Sequence, residues 1–267
     1  MHPDNRGRAK TLPVPRREQI MKYAIIAAGE GSRLRAENID VAKPLVRVHG
    51  EALIDRLIRI FMQNDADEIT VVCNEQADSV VRHLAVLQRD GMGGQPVPLR
   101  FMARQTPSSM HSFYEISRYL CEAPFVMTTV DTIFREKEFA AYISEFARML
   151  SHGDADGLMG VTDYVDDEKP LYVETAQNGM ITGFYDADDK ACSYVSAGIY
   201  GLTPQAIRVL HDCVKGGEQR MRNYQRALIR RGFRLKAYPF THVFDIDHAH
   251  DIADAEAFLN QEERRNE

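Results

Sequence analysis

Two glycines directly behind a short apolar run mark the stretch most suited to chemistry, Ala27-Ala28-Gly29-Glu30-Gly31-Ser32-Arg33-Leu34. Glycine lets the backbone turn sharply and bring its N–H groups close to an anion, where a side chain would obstruct approach. Arg33 adds a planar, permanently charged donor fork suited to phosphate. Ten residues on, Lys43-Pro44-Leu45 holds a second cation next to a rigid turn. Farther along, Asp131 closes the apolar segment 124–130, and a second acidic cluster stands in Phe244-Asp245-Ile246-Asp247. Alternate residues of a strand share a face, so Asp245 and Asp247 point the same way. Mg²⁺ takes a few hard carboxylate oxygens plus phosphate oxygens and water, and two strand-end aspartates suffice for it. The chemistry that these residue types support is the handling of a phosphate compound with a divalent cation.

Each feature also has a plainer account. Many strand-to-helix turns carry two glycines for structural reasons, and a strand-end aspartate is commonly a turn former or helix N-cap. The loop lacks the GxxxxGK of a P-loop, and Leu34 stands where a dinucleotide fingerprint needs glycine, which disfavours a nicotinamide oxidoreductase. His248 and His250 could suggest zinc, but without cysteine they read as solvated residues of a helix start.

The elements that must position these residues follow from periodicity. Residues 22–28 read as a strand buried on both faces, and 51–63 as a helix with Leu53, Leu57, Ile58 and Phe61 on one stripe. Strand 68–73, helix 78–88, strand 98–102, helix 109–120 and strand 124–130 continue the alternation of βαβ units, hence a mainly parallel sheet. In such a sheet Asp131 falls in the crevice beyond the strand ends, where ligands bind. After a helix at 136–150 the pattern changes to strands at 157–162 and 171–176, a hairpin signal at Asn178-Gly179, and strands at 180–185 and 194–201. Helices at 204–214 and 218–231, strands at 233–239 and 243–246, and a helix at 250–260 complete the chain. The antiparallel insert is expected to add to the one sheet.

The 267 residues, 44% hydrophobic, suffice for one large α/β domain. A net charge of −6 argues against a nucleic-acid-coating protein, though not against a local basic pocket. Cys73, Cys121, Cys192 and Cys213 form no CxxC pair and read as free thiols of a reducing cytoplasm. No apolar run approaches the ~20 residues of a membrane span. Residues 1–20 are polar, basic and proline-containing, without the apolar core of a secretory signal. They are expected to be a mobile extension, with the domain running over 21–267 and the protein cytoplasmic.

With these residues in view, the chain resembles the nucleotidyltransferases that make activated sugars and related activated alcohols. Their opening signature, AGGxGxR(L/M) with KP(L/M) about ten residues after the arginine, matches residues 28–34 and 43–45, with Ala28 in place of the first family glycine. The resemblance spans residue 21 to about 259 and implies a Rossmann-like three-layer α/β/α fold with a mixed, mainly parallel sheet. It implies that residues 27–33, from Ala27 and Ala28 through Glu30 and Ser32, wrap a nucleoside triphosphate, that Arg33 neutralises its charge, and that Lys43 stabilises charge near the reacting phosphorus. It makes Asp131 and Asp245 ligands of Mg²⁺, with Asp247 a close second, and sets Gln105 and Ser109 where the nucleotide is read or covered. Lys190, of the pair Asp189-Lys190, resembles a lysine that contacts the acceptor's phosphate; Ser196 and Gly198 fall in the strand that presents small residues to the acceptor.

The implied reaction joins a nucleoside monophosphate unit to a small phosphorylated substrate and releases pyrophosphate. A sugar 1-phosphate is the first choice of acceptor. Residues 104–112 depart from the PxGTAxA form of many sugar enzymes and look closer to compact cytidylyltransferases, so phosphocholine or another small alcohol phosphate is the alternative. A non-catalytic nucleotide-binding regulator on the same fold is the reading from another class; it predicts binding without pyrophosphate release. A homo-oligomer is left open, and no C-terminal repeat domain of an attached acyltransferase is expected.

Overall fold

The apolar run behind the glycines becomes the middle of a sheet. The structure is a computed structural model that describes residues 20–165, 169–188 and 190–263. The expected extension, apart from Ile20, and Asp189 lie outside the described residues. In chain order the first half comprises β1 (Lys22–Ala27), α1 (Ser32–Ala36), β2 (Arg47–Val48), β3 (Glu51–Ala52), α2 (Leu53–Gln63), β4 (Glu68–Cys73), α3 (Asp78–Asp90), β5 (Leu99–Ala103), α4 (Ser109–Ile116) and β6 (Phe125–Thr129). Then follow β7 (Thr132–Ile133), α5 (Glu136–His152), β8 (Gly157–Thr162), β9 (Tyr172–Thr175), β10 (Ile181–Tyr185) and β11 (Tyr194–Leu202). The chain closes with α6 (Ala206–Lys215), α7 (Met221–Arg230), β12 (Leu235–Phe240), β13 (Phe244–Asp245) and α8 (Ala249–Glu263).

Alternation along β1 explains the layers. Tyr23, Ile25 and Ala27 face a core shared with Leu53 of α2, Val80 of α3, Phe139 of α5 and Ala255 of α8. Ala24 and Ile26 face the other way, onto Phe113 of α4, Ile207 of α6 and Tyr224 of α7. Helices therefore cover both faces, which is what a strand without a polar side requires. The expected three-layer α/β/α architecture and mixed sheet are present.

Within the sheet, β5, β4, β1 and β6 lie side by side and parallel. The chain steps outward from β1 to β4 and β5, then returns to β6 on the opposite side of β1. That reversal opens a crevice at the carboxyl ends of β1 and β6, where ligands of open α/β sheets bind. Antiparallel β11 adds beside β6 through Tyr200–Leu202, while Tyr194 and Val195 at its other end pair with β9. Gly198, between these two halves, takes a positive φ of 70°. β8 and β12 extend the sheet beyond β11, and β10 extends it beyond β9, so the insert shares the single sheet as expected.

Two stretches read as helix form other elements. Residues 51–52 do not begin a helix; they pair with Arg47 and Val48 in a hairpin. Its turn is His49-Gly50, both at positive φ (50° and 77°), the geometry of a two-residue type I′ turn. The helix expected over 109–120 ends at Ile116 and tightens into a 3₁₀ turn at Ser117–Tyr119.

Candidate active site

The glycine loop connects the carboxyl end of β1 to α1. Gly31 has φ 60°, and a Cβ added to it would stand 3.1 Å from the Cβ of Lys43. Gly31 thus supplies two things that only glycine supplies, a left-handed turn and room for Lys43 to pass beneath the loop. Lys43 opens a 3₁₀ turn with Pro44 and Leu45 and is only 9% exposed. Its ammonium meets the Asp131 carboxylate and, at 2.7 Å, the Asp247 carboxylate. Burial alone would lower the Lys43 pKa; the two aspartates outweigh it and hold the ammonium well above the usual lysine range.

Asp131 sits just past β6, held by backbone bonds on both sides: Val130 N donates to Ile26 O (3.0 Å), and Ile246 N donates to Asp131 O (3.1 Å). The short ribbon of β7 and β13 sets Asp245 opposite Thr132. Carboxylates from mid-chain and tail therefore meet across one ribbon. Asp131 Oδ2 faces Lys43, whereas Asp131 Oδ1 is buried with no hydrogen-bond partner among the described residues. Asp245 reaches solvent through the cleft yet is walled by protein. Desolvation and the neighbouring Asp131 raise its pKa far above the ordinary carboxylate range, against the pull of Lys43 and a hydrogen bond from Thr132.

Asp247 is placed differently. Its Oδ1 accepts from Lys43 Nζ and its Oδ2 from Arg33 Nη1, each at 2.7 Å. Burial would raise its pKa, but Lys43 and Arg33 prevail and lower it. Asp251, 6% exposed, fixes this segment by accepting from the amides of Asp247 (2.7 Å) and His248 (2.6 Å), a capping-box contact at the start of α8. Glu37, just after α1, accepts from Ala249 N and bonds His248 Nδ1. His248 is thus a helix-start residue, as the sequence suggested. His250, Asp251 and Asp254 form the one group of three side chains, among the described residues, whose ligand atoms lie within 4.8 Å of one another. Asp131, Asp245 and Asp247 are not gathered that closely, because Lys43 Nζ stands between Asp131 and Asp247.

Two adjoining cavities of about 550 Å³ each flank these carboxylates. The first is lined by residues 28–33, Lys43, Thr106, Ser108, Ser109, Ser112 and Asp131; the second by Tyr164, Lys169, Ser196, Gly198, Tyr200, Arg220, Gln225 and Asp245 among others. Arg33, Ser108, Ser109, Thr129 and Asp247 line both, so the two spaces meet over the acidic group.

Of the residues singled out by sequence, Ala28, Gly29, Glu30, Gly31, Ser32, Arg33, Lys43, Ser109 and Asp131 surround the first cavity, and Ser196, Gly198 and Asp245 the second. Ala27 instead packs into the core behind the loop. Gln105 lines neither space and accepts from Gln76 Nε2 at 3.3 Å. Lys190 is exposed in a turn beside Glu174 and Cys192, away from both cavities. Ser108 escaped the sequence reading although it left a signal: it is the N-cap of α4, its hydroxyl bonded to His111. Gln225 and Arg220 left none, being polar residues of a stretch whose register against the cleft only tertiary structure sets.

The family model described as Nucleotidyl transferase matches residues 22–262. The chain belongs to this family. It is an enzyme of nucleotidyl transfer. A nucleotidyltransferase relative is the UTP–glucose-1-phosphate uridylyltransferase AglF of Haloferax volcanii, 24% identical over 91% of this chain and 98% of its own length. Among solved structures, one assigned as a glucose-1-phosphate thymidylyltransferase from Bacillus anthracis, in complex with a sucrose, superposes with a TM-score of 0.75 at 19% identity, covering 90% of this chain and 95% of that one. The inositol-1-phosphate CTP transferase of T. maritima reaches 0.71 at 19% identity, covering 90% and 96%. Among the described residues, no helix is long and apolar enough to cross a membrane.

Proposed function

We propose that this nucleotidyltransferase transfers a nucleoside monophosphate unit from a triphosphate to a sugar 1-phosphate in the cytoplasm, releasing pyrophosphate and forming a nucleotide sugar. The observation that carries the reading is the junction of the two cavities. The first, with the glycine loop, Arg33, Lys43 and Asp131, suits a triphosphate; the second, with Asp245, suits an acceptor; Arg33 and Asp247 line both. The relatives named for glucose-1-phosphate chemistry support the acceptor class.

The residues present fit Mg²⁺. Asp131 Oδ1 is a buried carboxylate oxygen without a hydrogen-bond partner among the described residues, and Asp245, opposite Thr132 on the ribbon, is a second carboxylate beside it. Asp131 and Asp245 would hold the ion, with Asp247 at hand. When bound, Mg²⁺ supplies charge neutralisation on the phosphate oxygens. This chain's own contribution is positioning. Arg33 and Lys43 draw the triphosphate against the loop, and the acceptor phosphate, already an anion, attacks in line without a general base.

Pyrophosphate release from four nucleoside triphosphates crossed with sugar 1-phosphates, inositol 1-phosphate, phosphocholine and phosphoethanolamine, with and without Mg²⁺, tests the reading. Asp131→Ala is expected to lower metal-dependent turnover by about 10²-fold or more while the folded circular dichroism spectrum persists. Near-normal release by that variant overturns the metal assignment; triphosphate binding without release from any pair would leave a regulator instead.

A further inference from the structure

The floor of the second cavity carries a residue that nucleotidyl transfer as described does not use. Gln225, on α7, is 2% exposed yet lines that cavity. Its Oε1 accepts from Ser196 Oγ at 3.3 Å and its Nε2 donates to Tyr200 Oη at 3.2 Å. A carboxamide offers two N–H donors and two acceptor lone pairs. One of each is used, and among the described residues the others have no partner. An amide this deeply buried demands satisfaction, and the open side of Gln225 is the cavity.

The rest of the cavity narrows what can satisfy it. A quaternary ammonium has no hydrogen-bonding group and is held by a box of aromatic faces. That box is not assembled among the described residues: Tyr164, the exposed ring of the wall, lies tilted against His242 with centroids 3.7 Å apart. Lys169, Arg220 and Arg222 also line this space, opposite Asp245, Asp247 and Asp251, so its charge is mixed. Adjacent hydroxyls on a ring, by contrast, both donate and accept, matching the open donor and acceptor of Gln225.

Resting on the sugar-phosphate reading above, we infer that Gln225, set by Ser196 and Tyr200, is a specificity-determining residue that reads a ring hydroxyl of a polyhydroxylated phosphate acceptor. A sugar 1-phosphate and a cyclitol phosphate share that chemistry, and the assay separates them. A site built to hydrogen-bond a hydroxyl loses heavily when either partner is removed.

The test is steady-state pyrophosphate release by the full chain with glucose 1-phosphate, its monodeoxy analogues, myo-inositol 1-phosphate and phosphocholine. Gln225→Leu is expected to raise KM for the hydroxylated acceptor about tenfold, with KM for the triphosphate within about twofold. One monodeoxy analogue should be turned over equally by the wild type and Gln225→Leu, a result that general loosening of the fold would not give. Tyr200→Phe, which removes a partner that orients the amide, should raise the same KM by a smaller factor and serves where Gln225→Leu fails to fold. Preference for phosphocholine, or an acceptor KM unmoved in either variant, overturns the inference while nucleotidyl transfer stands. Release with none of the acceptors removes the sugar-phosphate reading and this one together.

Discussion

Arg33 and Lys43 both donate to a single carboxylate, that of Asp247, at 2.7 Å each. These are the two cations that a triphosphate would use, so Asp247 competes with it for the same charges. Arg33 and Asp247 are about half exposed, so water screens their pair and its worth is about 1 kcal/mol or less. Lys43 is buried and keeps Asp131 as a partner when Asp247 is neutralised. Asp247→Asn is therefore expected to strengthen metal-free inhibition by inorganic tripolyphosphate about fivefold, since ~1 kcal/mol of competition is removed. An unchanged inhibition constant would show that the carboxylate stands aside at no cost. The residue types at this site were legible in the sequence: glycines, an arginine, a lysine and three aspartates at telling positions. Their pairing was not. Whether Asp247 faces an ion or a lysine depends on Lys43 passing beneath Gly31, a contact between turns 204 residues apart along the chain for the Lys43–Asp247 pair.

Elements were legible where a periodic apolar pattern ran long. Strands 22–28, 68–73 and 124–130 and helix 136–150 stand nearly as read, because each buries a continuous face. The hairpin at 47–52 was missed because its turn residues, His49 and Gly50, are few and its strands two residues each, too short for a period to declare itself. Helix α5 also carries a charge tie invisible to periodicity. Glu145 receives hydrogen bonds from Arg148 on the same helix and from Lys236 on β12, so it fastens the helix to the far strand of the sheet. Chiefly through Arg148, its pKa falls from 4.5 to about 2. A depressed carboxylate pKa contributes stability that is present above the unfolded value and is lost as pH falls toward the folded one. The group is partly exposed, so screening limits the contribution to about 0.5–1 kcal/mol. Glu145→Gln should lower urea-unfolding stability by that amount at pH 7, and the gap to wild type should narrow as pH drops below about 4.5. A gap that stays constant down to pH 3 would mean that the tie contributes packing and not charge.

At the scale of the whole molecule, both cavities hang on one sheet. The cavity proposed for the triphosphate is built on the carboxyl ends of β1 and β6, the one proposed for the acceptor on β11 and α7, and β11 pairs directly with β6 through Tyr200–Leu202. The two hydrophobic cores lie on opposite faces of that same sheet, so neither half buries its apolar surface without the other. A fold joined in this way should unfold as one cooperative unit, and ligand bound at one side should stabilise both. A ligand at a hundred times its Kd adds about 2.7 kcal/mol to the folded state. For a domain of this size each kcal/mol moves Tm by roughly 2–4 °C, so the expected rise is about 5–10 °C. Far-UV circular dichroism should register it together with the fluorescence of a probe on the half-buried Cys192, in a variant whose exposed thiol is replaced by Cys121→Ser. Both signals should share one midpoint, with and without triphosphate and Mg²⁺. If the probe beside β9–β11 reported its own lower transition that nucleotide left in place, the antiparallel part would be a separately melting appendage, and coupling of the two sites through the sheet would be lost.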